Sequence, residues 1–321
     1  MVPDPEPIPT ALRDAILAWY RASGRVLPFR MTRDPYAILV SEVMAQRTRI
    51  DRVSEAWTRF LARFPTVRSL ADATAADVLR QWRGMGYNRR ALNLHRLARV
   101  VVADHGGQIP RDVAALARLP GVGPYTARAV AALAFGVPVG AVDTNVRRVL
   151  GRVAGMPLEP TGTADAATER AIQALAEGAV AADAPGEWTH ALMDVGATFC
   201  RPRAPRCVAC PAEPWCRFAL DGVVAPDSPA ALAPSARPLA APPATAAAAP
   251  APIPFEETSR WLRGRILDRL RDAGPAAWVR IRGEIGRHDG RAVRHALGAL
   301  AADGLLERHP LDRDLARLPL A

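Results

Sequence analysis

Lysine is absent from this chain. All 42 basic residues are arginine, so a Schiff base on a lysine amine is excluded as a catalytic intermediate. Long apolar runs are missing as well. None approaches the roughly 20 residues that a membrane-spanning helix needs, and the opening segment from Met1 to Thr10 lacks the basic-then-apolar order of a secretory leader. The expectation is a cytoplasmic protein without membrane contact. Strand-like alternation of apolar and polar residues is nearly absent, which points away from all-β architectures.

Cysteine is scarce and confined. The four present are spaced Cys200-x6-Cys207-x2-Cys210-x5-Cys216, with none elsewhere. A complete and local set reads as a ligand set rather than as packing. Pro202, Pro205, Pro211 and Pro214 interrupt any helix there, leaving a loop able to wrap a compact group. Two disulfides would need an oxidising compartment. A structural zinc site usually pairs its ligands as two C-x2-4-C hooks, and only Cys207 with Cys210 has that form. A four-iron cluster, held by unequally spaced thiolates, fits best.

What is abundant bounds the rest. Half of the residues are hydrophobic, enough for a substantial core, and the formal net charge is +10. That charge points to a polyanion, most simply nucleic acid. An arginine- and alanine-rich composition imposed by a GC-rich genome would give the same number without a partner.

The stretch from about Thr10 to Leu220 reads as amphipathic helices with short turns: 11–21, 36–46, 50–64, 75–82, 89–105, 113–119, 124–134, 144–151 and 164–181. Residues 223–254 are mostly Ala, Pro and Ser and form a linker. Residues 255–321 give a helix over 259–273, a short β-like piece over 278–283, a helix over 291–303 and a possible hairpin over 305–318. That order suggests a small winged-helix-like module, with a plain helical appendage as the alternative.

Two motifs carry chemistry. Leu119-Pro120-Gly121-Val122-Gly123-Pro124-Tyr125-Thr126-Ala127 is a glycine-punctuated turn between two helices. Its glycines permit positive φ and close backbone approach, and the following helix offers free N–H groups to a phosphate. An ordinary helix–helix turn is the plainer reading, less compatible with the whole pattern. Some twenty residues on, Ala141-Val142-Asp143-Thr144-Asn145-Val146-Arg147-Arg148 opens a helix. Asp143 there is a helix cap, a carboxylate facing a cleft, or both.

Together with Trp19-Tyr20, Leu27-Pro28-Phe29-Arg30, Pro35-Tyr36, Ser41-Glu42-Val43-Met44, Arg63-Phe64-Pro65-Thr66, Gly84-Met85-Gly86-Tyr87, Asn93-Leu94-His95 and Ala191-Leu192-Met193-Asp194-Val195-Gly196-Ala197, these motifs resemble the helix-hairpin-helix DNA glycosylases. Within that family the chain resembles the MutY-like adenine glycosylases over residues 11–220. The resemblance implies an all-α, two-lobed helix-hairpin-helix glycosylase fold with an iron–sulfur cluster loop, a barrel lobe at 29–140 and a second lobe from 1–28 and 141–222. It implies a DNA-binding cleft between the lobes and one 4Fe-4S cluster on Cys200, Cys207, Cys210 and Cys216. The implied partner is double-stranded DNA with a mismatched or oxidised base pair, acted on by a nucleoid-associated monomer.

Residue roles are implied motif by motif. Glu42 matches the general acid, and the apolar residues around it in sequence should raise its pKa. Standing alone it would read as a solvated helix glutamate. Asp143 matches the carboxylate that steadies an oxocarbenium-like sugar, and Asn145 a residue that holds that site. Tyr125 stands where strand-cutting relatives carry a catalytic lysine, which implies a monofunctional glycosylase. Gln46, Arg47, Tyr87, Gly121 and Gly123 match DNA-contacting positions, with Tyr87 a wedge into the duplex or, read plainly, an aromatic after a tight turn. Arg25, Leu27, Phe29, Arg30, Ala45 and Glu187 match base-pocket positions. The family usually has Trp at position 29, Leu at 45 and Gln at 47, and carries a Nudix-like domain for 8-oxoguanine in place of the short module here. Excision of mispaired adenine opposite 8-oxoguanine or guanine is the expectation. A thymine/uracil mismatch glycosylase of the same fold and a non-catalytic, cluster-containing redox sensor are the alternatives.

Overall fold

A computed structural model of the chain describes residues 6–158, 164–221, 253–274 and 276–320. It is built from helices α1 (Thr10–Ser23), α2 (Pro35–Ala45), α3 (Ile50–Arg63), α4 (Val67–Ala71), α5 (Ala75–Gln81), α6 (Arg89–Asp104), α7 (Val113–Ala117), α8 (Pro124–Phe135), α9 (Thr144–Val153), α10 (Ala166–Gly178), α11 (Pro185–Thr198), α12 (Arg217–Leu220), α13 (Ser259–Asp272) and α14 (Gly290–Ala302). Strands β1 (Val279–Arg280), β2 (Glu307–Arg308) and β3 (Leu315–Arg317) complete it. The described residues form two compact units. One runs from the N-terminus to Glu42 and from Ile109 to Asp221; the other joins Val43–Gln108 to the residues after the linker. No helix among the described residues is long and apolar enough to cross a membrane.

In the first unit α11 is the central helix, packed by α1, α8 and α9. Leu12 and Ile16, four apart on α1, meet Val149 and Leu150 of α9, Ile172 of α10 and Trp188, Leu192 and Val195 of α11. The periodicity argument passes over α11 because its residues from Trp188 to Gly196 are buried on nearly every face. A helix apolar all round has no amphipathic signature. Its Thr189 hydroxyl donates to the Pro185 carbonyl, which satisfies that group inside the core (2.9 Å). The starts of α7, α9 and α10 are fixed by Asp112, Asp143 and Asp165, whose side chains accept backbone N–H groups of the first turn.

The second unit holds α3 to α6 and the C-terminal module. Phe60 packs edge-on against Phe64 and Trp82 at centroid distances of 5.0 and 6.0 Å, and α6 lies along α4 and α5. The module has the helix, strand, helix and hairpin order read from the sequence. Its antiparallel sheet is ordered β1-β3-β2, with Ala316 opposite Val279 on one side and Arg308 on the other. The linker at 223–254 lies almost wholly outside the described residues.

One buried arginine seats the module on this unit. Arg271 of α13 is 8% exposed. Its Nε donates to the Leu79 carbonyl at 2.9 Å, its Nη2 to Asn88 Oδ1 at 2.7 Å and its Nη1 to Asp268 at 3.0 Å. Arg83 adds an ion pair to Asp272 at the rim. Arg271→Ala strands the buried acceptors and is expected to cost on the order of 2–4 kcal/mol, read as a lower denaturant midpoint and faster proteolytic release of the module. An unchanged midpoint would show that the seat does not depend on this side chain.

Candidate active site

Helix α2 carries the first functional group. Asp34 starts the helix by accepting the Tyr36 and Ala37 N–H groups (3.1 and 3.4 Å), and Pro35 suits the first turn. Ile38, Leu39, Val40, Val43 and Met44 are all buried, and Glu42 among them is 9% exposed. Burial raises the Glu42 carboxyl to about 7. The hydrogen bond from Tyr125 opposes that shift, the Asp143 charge reinforces it and Arg30 opposes it again.

Tyr125 sits in the first turn of α8 and donates its hydroxyl to Glu42 Oε2 at 2.8 Å. Its own pKa is pushed well up, by burial first and then by Glu42 and Asp143. Just upstream, Gly121 has φ of 79° and Gly123 caps α8 without a side chain. A Cβ at position 123 would meet no atom within 4 Å. A side chain at position 123 would thus point into open space, next to the first turn of α8.

Asp143 caps α9, and its charge reaches Glu42. Its Oδ1 accepts from the Asn145 and Val146 amides (2.9 and 2.7 Å), and its Oδ2 accepts from Asn145 Nδ2 at 2.9 Å. The preceding loop is anchored too, since the Gly140 amide donates to Glu177 (2.9 Å) and Gln173 donates to the Gly140 carbonyl (2.9 Å). Thus Glu42, Tyr125, Asp143 and Asn145, drawn from α2, α8 and α9, converge within one unit.

A residue passed over by sequence reading extends this arrangement. Arg148, 5% exposed, donates from Nη2 to Asn145 Oδ1 (2.9 Å) and to the Gly196 carbonyl (2.8 Å), and from Nε to the Cys200 carbonyl. Gly196 lets α11 press against this network: a Cβ there would lie 2.6 Å from the Asn145 Cβ. Asp194 is the second such residue. It is fully buried, pairs with Arg25 and Arg30 at 2.5 and 2.8 Å, and is held below the usual carboxylate range by those arginines against its own burial. A lone carboxylate in the apolar run of α11 was the available signal, because a buried charge demands partners.

The expected base-pocket residues are therefore engaged differently from one another. Arg25 and Arg30 spend their guanidiniums on Asp194, while Glu187 is gripped by Arg21 through bonds of 2.7–3.2 Å. Phe29 is buried in the turn that Leu27 opens. Ala45 ends α2, half-buried, followed by Gln46 and an exposed Arg47 with φ of 56°. Those three, with Tyr87, belong to the second unit.

Cys200, Cys207, Cys210 and Cys216 are all free thiols. Burial raises Cys210 to about 12, and the charges of the other three thiols add to the rise. Each therefore lies within electrostatic reach of Cys210. Arg152 donates to Cys200 Sγ at 3.4 Å, and Cys216 Sγ lies 3.6 Å from the Arg152 carbonyl. Two single 3-10 turns, Cys207–Ala209 and Glu213–Trp215, shape the loop between the prolines. Among the described residues no three ligand-type side chains are drawn together as ligands of one ion would be. Four thiols within electrostatic reach of one another, beside an arginine, form a donor set chemically suited to a cluster of several irons.

Comparison with known proteins finds similar chains. Residues 40–177 match the HhH-GPD superfamily base excision DNA repair protein family. An adenine DNA glycosylase of Mycobacterium tuberculosis is 40% identical over 316 residues, covering 95% of this chain and 94% of the relative. A thymine/uracil-DNA glycosylase of Methanothermobacter thermautotrophicus is 34% identical, covering 63% of this chain and 90% of the relative. Among solved structures, a thermostable thymine-DNA glycosylase superposes with a TM-score of 0.60 at 33% identity, covering 65% of this chain and 95% of the other.

The raised Glu42 pKa has a stability signature. Between about 4.5 and about 7 the folded chain holds a proton there that the unfolded chain has released, so folding loses stability as pH rises through that window. Glu42→Gln removes the loss. It is expected to stabilise the protein at pH 8 by on the order of 3 kcal/mol and to have little effect at pH 4. Thermal melts at the two pH values check this; an equal effect at both would deny the shift.

Proposed function

As a member of the adenine DNA glycosylases of the HhH-GPD superfamily, this chain removes adenine in base excision repair, and we propose that it does so opposite 8-oxoguanine or guanine with Glu42 and Asp143 as its reacting carboxylates. The observation that carries this assignment is the buried Glu42–Tyr125 bond in the same compact unit as the anchored Asp143. A Glu42 carboxyl with a pKa of about 7 is half protonated near neutrality, the condition for an efficient general acid. It protonates the extruded adenine and then handles the attacking water. Asp143, fixed by three hydrogen bonds, places its carboxylate against the sugar as positive charge develops. The Tyr125 hydroxyl holds Glu42 in one rotamer and offers no amine for strand cleavage.

The four cysteines fit a 4Fe-4S cluster, which when bound would tie the loop together through iron–thiolate bonds without any redox step in base removal. Around it, Arg148 links the Cys200 carbonyl to Asn145 and so to Asp143, and contacts from Arg201, Arg203 and Arg206 of the loop to phosphates are part of the proposal. The reaction belongs in the compartment that holds the DNA.

A second reading has support in the thymine/uracil-DNA glycosylase likeness and in the Phe29 and Ala45 departures. Incubating the protein with A:8-oxoguanine, A:G, T:G and U:G duplexes, followed by alkali, separates the two. Adenine release from the first two, with breaks appearing only after alkali, is expected. Release from T:G or U:G instead would favour the second reading, and breaks without alkali would contradict the monofunctional assignment.

Three variants test the residue roles in the same single-turnover assay. Glu42→Gln and Asp143→Asn are each expected to lower excision by about 10²–10⁴-fold while leaving duplex binding in place, and the wild-type rate should fall as pH rises past about 7. Gly196→Ala, which drives a methyl into Asn145, should lower the rate without touching either carboxylate. A flat pH profile or an active Glu42→Gln enzyme would remove Glu42 from the acid's role.

A further inference from the structure

The turn that carries Tyr87 is built at a cost. Tyr87 and Arg47 both adopt positive φ, 45° and 56°, a conformation that side chains other than glycine rarely take. Their loops are clamped together from behind by Arg90. Its Nη1 donates to the Val43, Met44 and Gln46 carbonyls, and its Nη2 to the Met85 and Gly86 carbonyls and to the Thr48 hydroxyl. Strain held in place by so many bonds presents something, and what it presents is Tyr87, still 40% exposed.

Three guanidiniums surround that ring. Arg47 lies 5.7 Å from its centroid, Arg90 5.6 Å and Arg260 4.7 Å. Arg260 comes from the first turn of α13, in the C-terminal module. It also lies close over Gly86, where a Cβ would stand 3.9 Å from its Nη2. Among the described residues neither Arg47 nor Arg260 is paired with a carboxylate. The groups that shift the Tyr87 hydroxyl downward are Arg47, Arg260 and Arg90, with no carboxylate opposing them. Several carboxylates of the module are engaged elsewhere, Asp272 by Arg83, Asp303 by Arg89 and Arg263, Asp268 by Arg265 and Arg271, and Glu257 by Arg287. Cation–π attraction offsets part of the crowding of like charges, but like charges brought this close favour an anion between them.

We infer that Arg260 and Arg47, gathered around Tyr87, form a binding site for a phosphodiester of the DNA, so that the C-terminal module takes part in holding the duplex. The inference rests on the proposed DNA-repair function and adds a module residue to the DNA contacts. It also assigns the module a role in recognition. Helix α13 delivers this arginine to the Tyr87 turn.

The test is the salt dependence of duplex binding, measured with the full chain carrying Glu42→Gln so that no turnover occurs, on an A:8-oxoguanine duplex. Adding Arg260→Gln is expected to weaken binding and to make the slope of log K against log salt shallower by about 0.9, the change that follows when one fewer phosphate is neutralised. Arg59→Gln, an exposed arginine on α3, should leave the slope unchanged. Arg260→Gln should also melt at or above the parent temperature in low salt, because it relieves like-charge crowding. If Arg260 merely pins the module, Arg260→Gln will melt lower and keep the parent slope, which overturns the proposal. An equal slope change from Arg59→Gln would do the same. A parent protein that binds no duplex would sink the proposal together with the function on which it rests, whereas steep parental binding with an unaltered Arg260→Gln slope sinks the proposal alone.

Discussion

The structure turns on a carboxyl group kept out of water. Glu42 sits on a helix whose neighbouring side chains are almost entirely buried, and the partner that meets it is a neutral hydroxyl, Tyr125. A cationic partner at that distance would hold the carboxyl ionised and spoil it as a proton donor. The charge of Arg30, which does act on Glu42, is at the same time paired through two bonds to the buried Asp194.

The second carboxylate is governed by opposite physics. Asp143 is surrounded by donors, two of them backbone amides of the helix it caps. One residue therefore starts a helix and, in the proposed mechanism, holds a reacting group with the same three bonds. The support continues outward through Asn145 and Arg148 to the Gly196 and Cys200 carbonyls. Order in the cysteine loop is in this way coupled mechanically to the placement of Asp143. Two carboxylates in contrasting surroundings is the arrangement that glycosidic bond cleavage asks for.

Much of this is legible in the sequence. Helices with one apolar stripe, such as α6 and α9, can be read to within two residues of their ends, because periodicity reports burial directly. The glycine turn and the downstream aspartate are visible as local chemistry. What escapes is set by tertiary context. Helix α11 has no stripe to read, since it is enclosed on nearly every side. Asp194 and Arg148 look like ordinary charged residues until the fold encloses them. The pairing of Arg25 and Arg30 with Asp194 spans more than 160 positions, and no spacing rule reaches that far. The prolines of the cysteine loop do break α-helix, yet Cys207–Ala209 and Glu213–Trp215 still form 3-10 turns among them.

The account stands or falls on the protonation of one side chain. Difference infrared spectroscopy of the wild type against Glu42→Gln, recorded across pH 4 to 9, isolates the carboxyl stretch of Glu42. The burial and hydrogen bonding described here place its midpoint at about 7, with the protonated band still present at pH 6. A carboxylate already fully ionised at pH 5, near the ordinary glutamate value, would contradict the buried-acid account at its root.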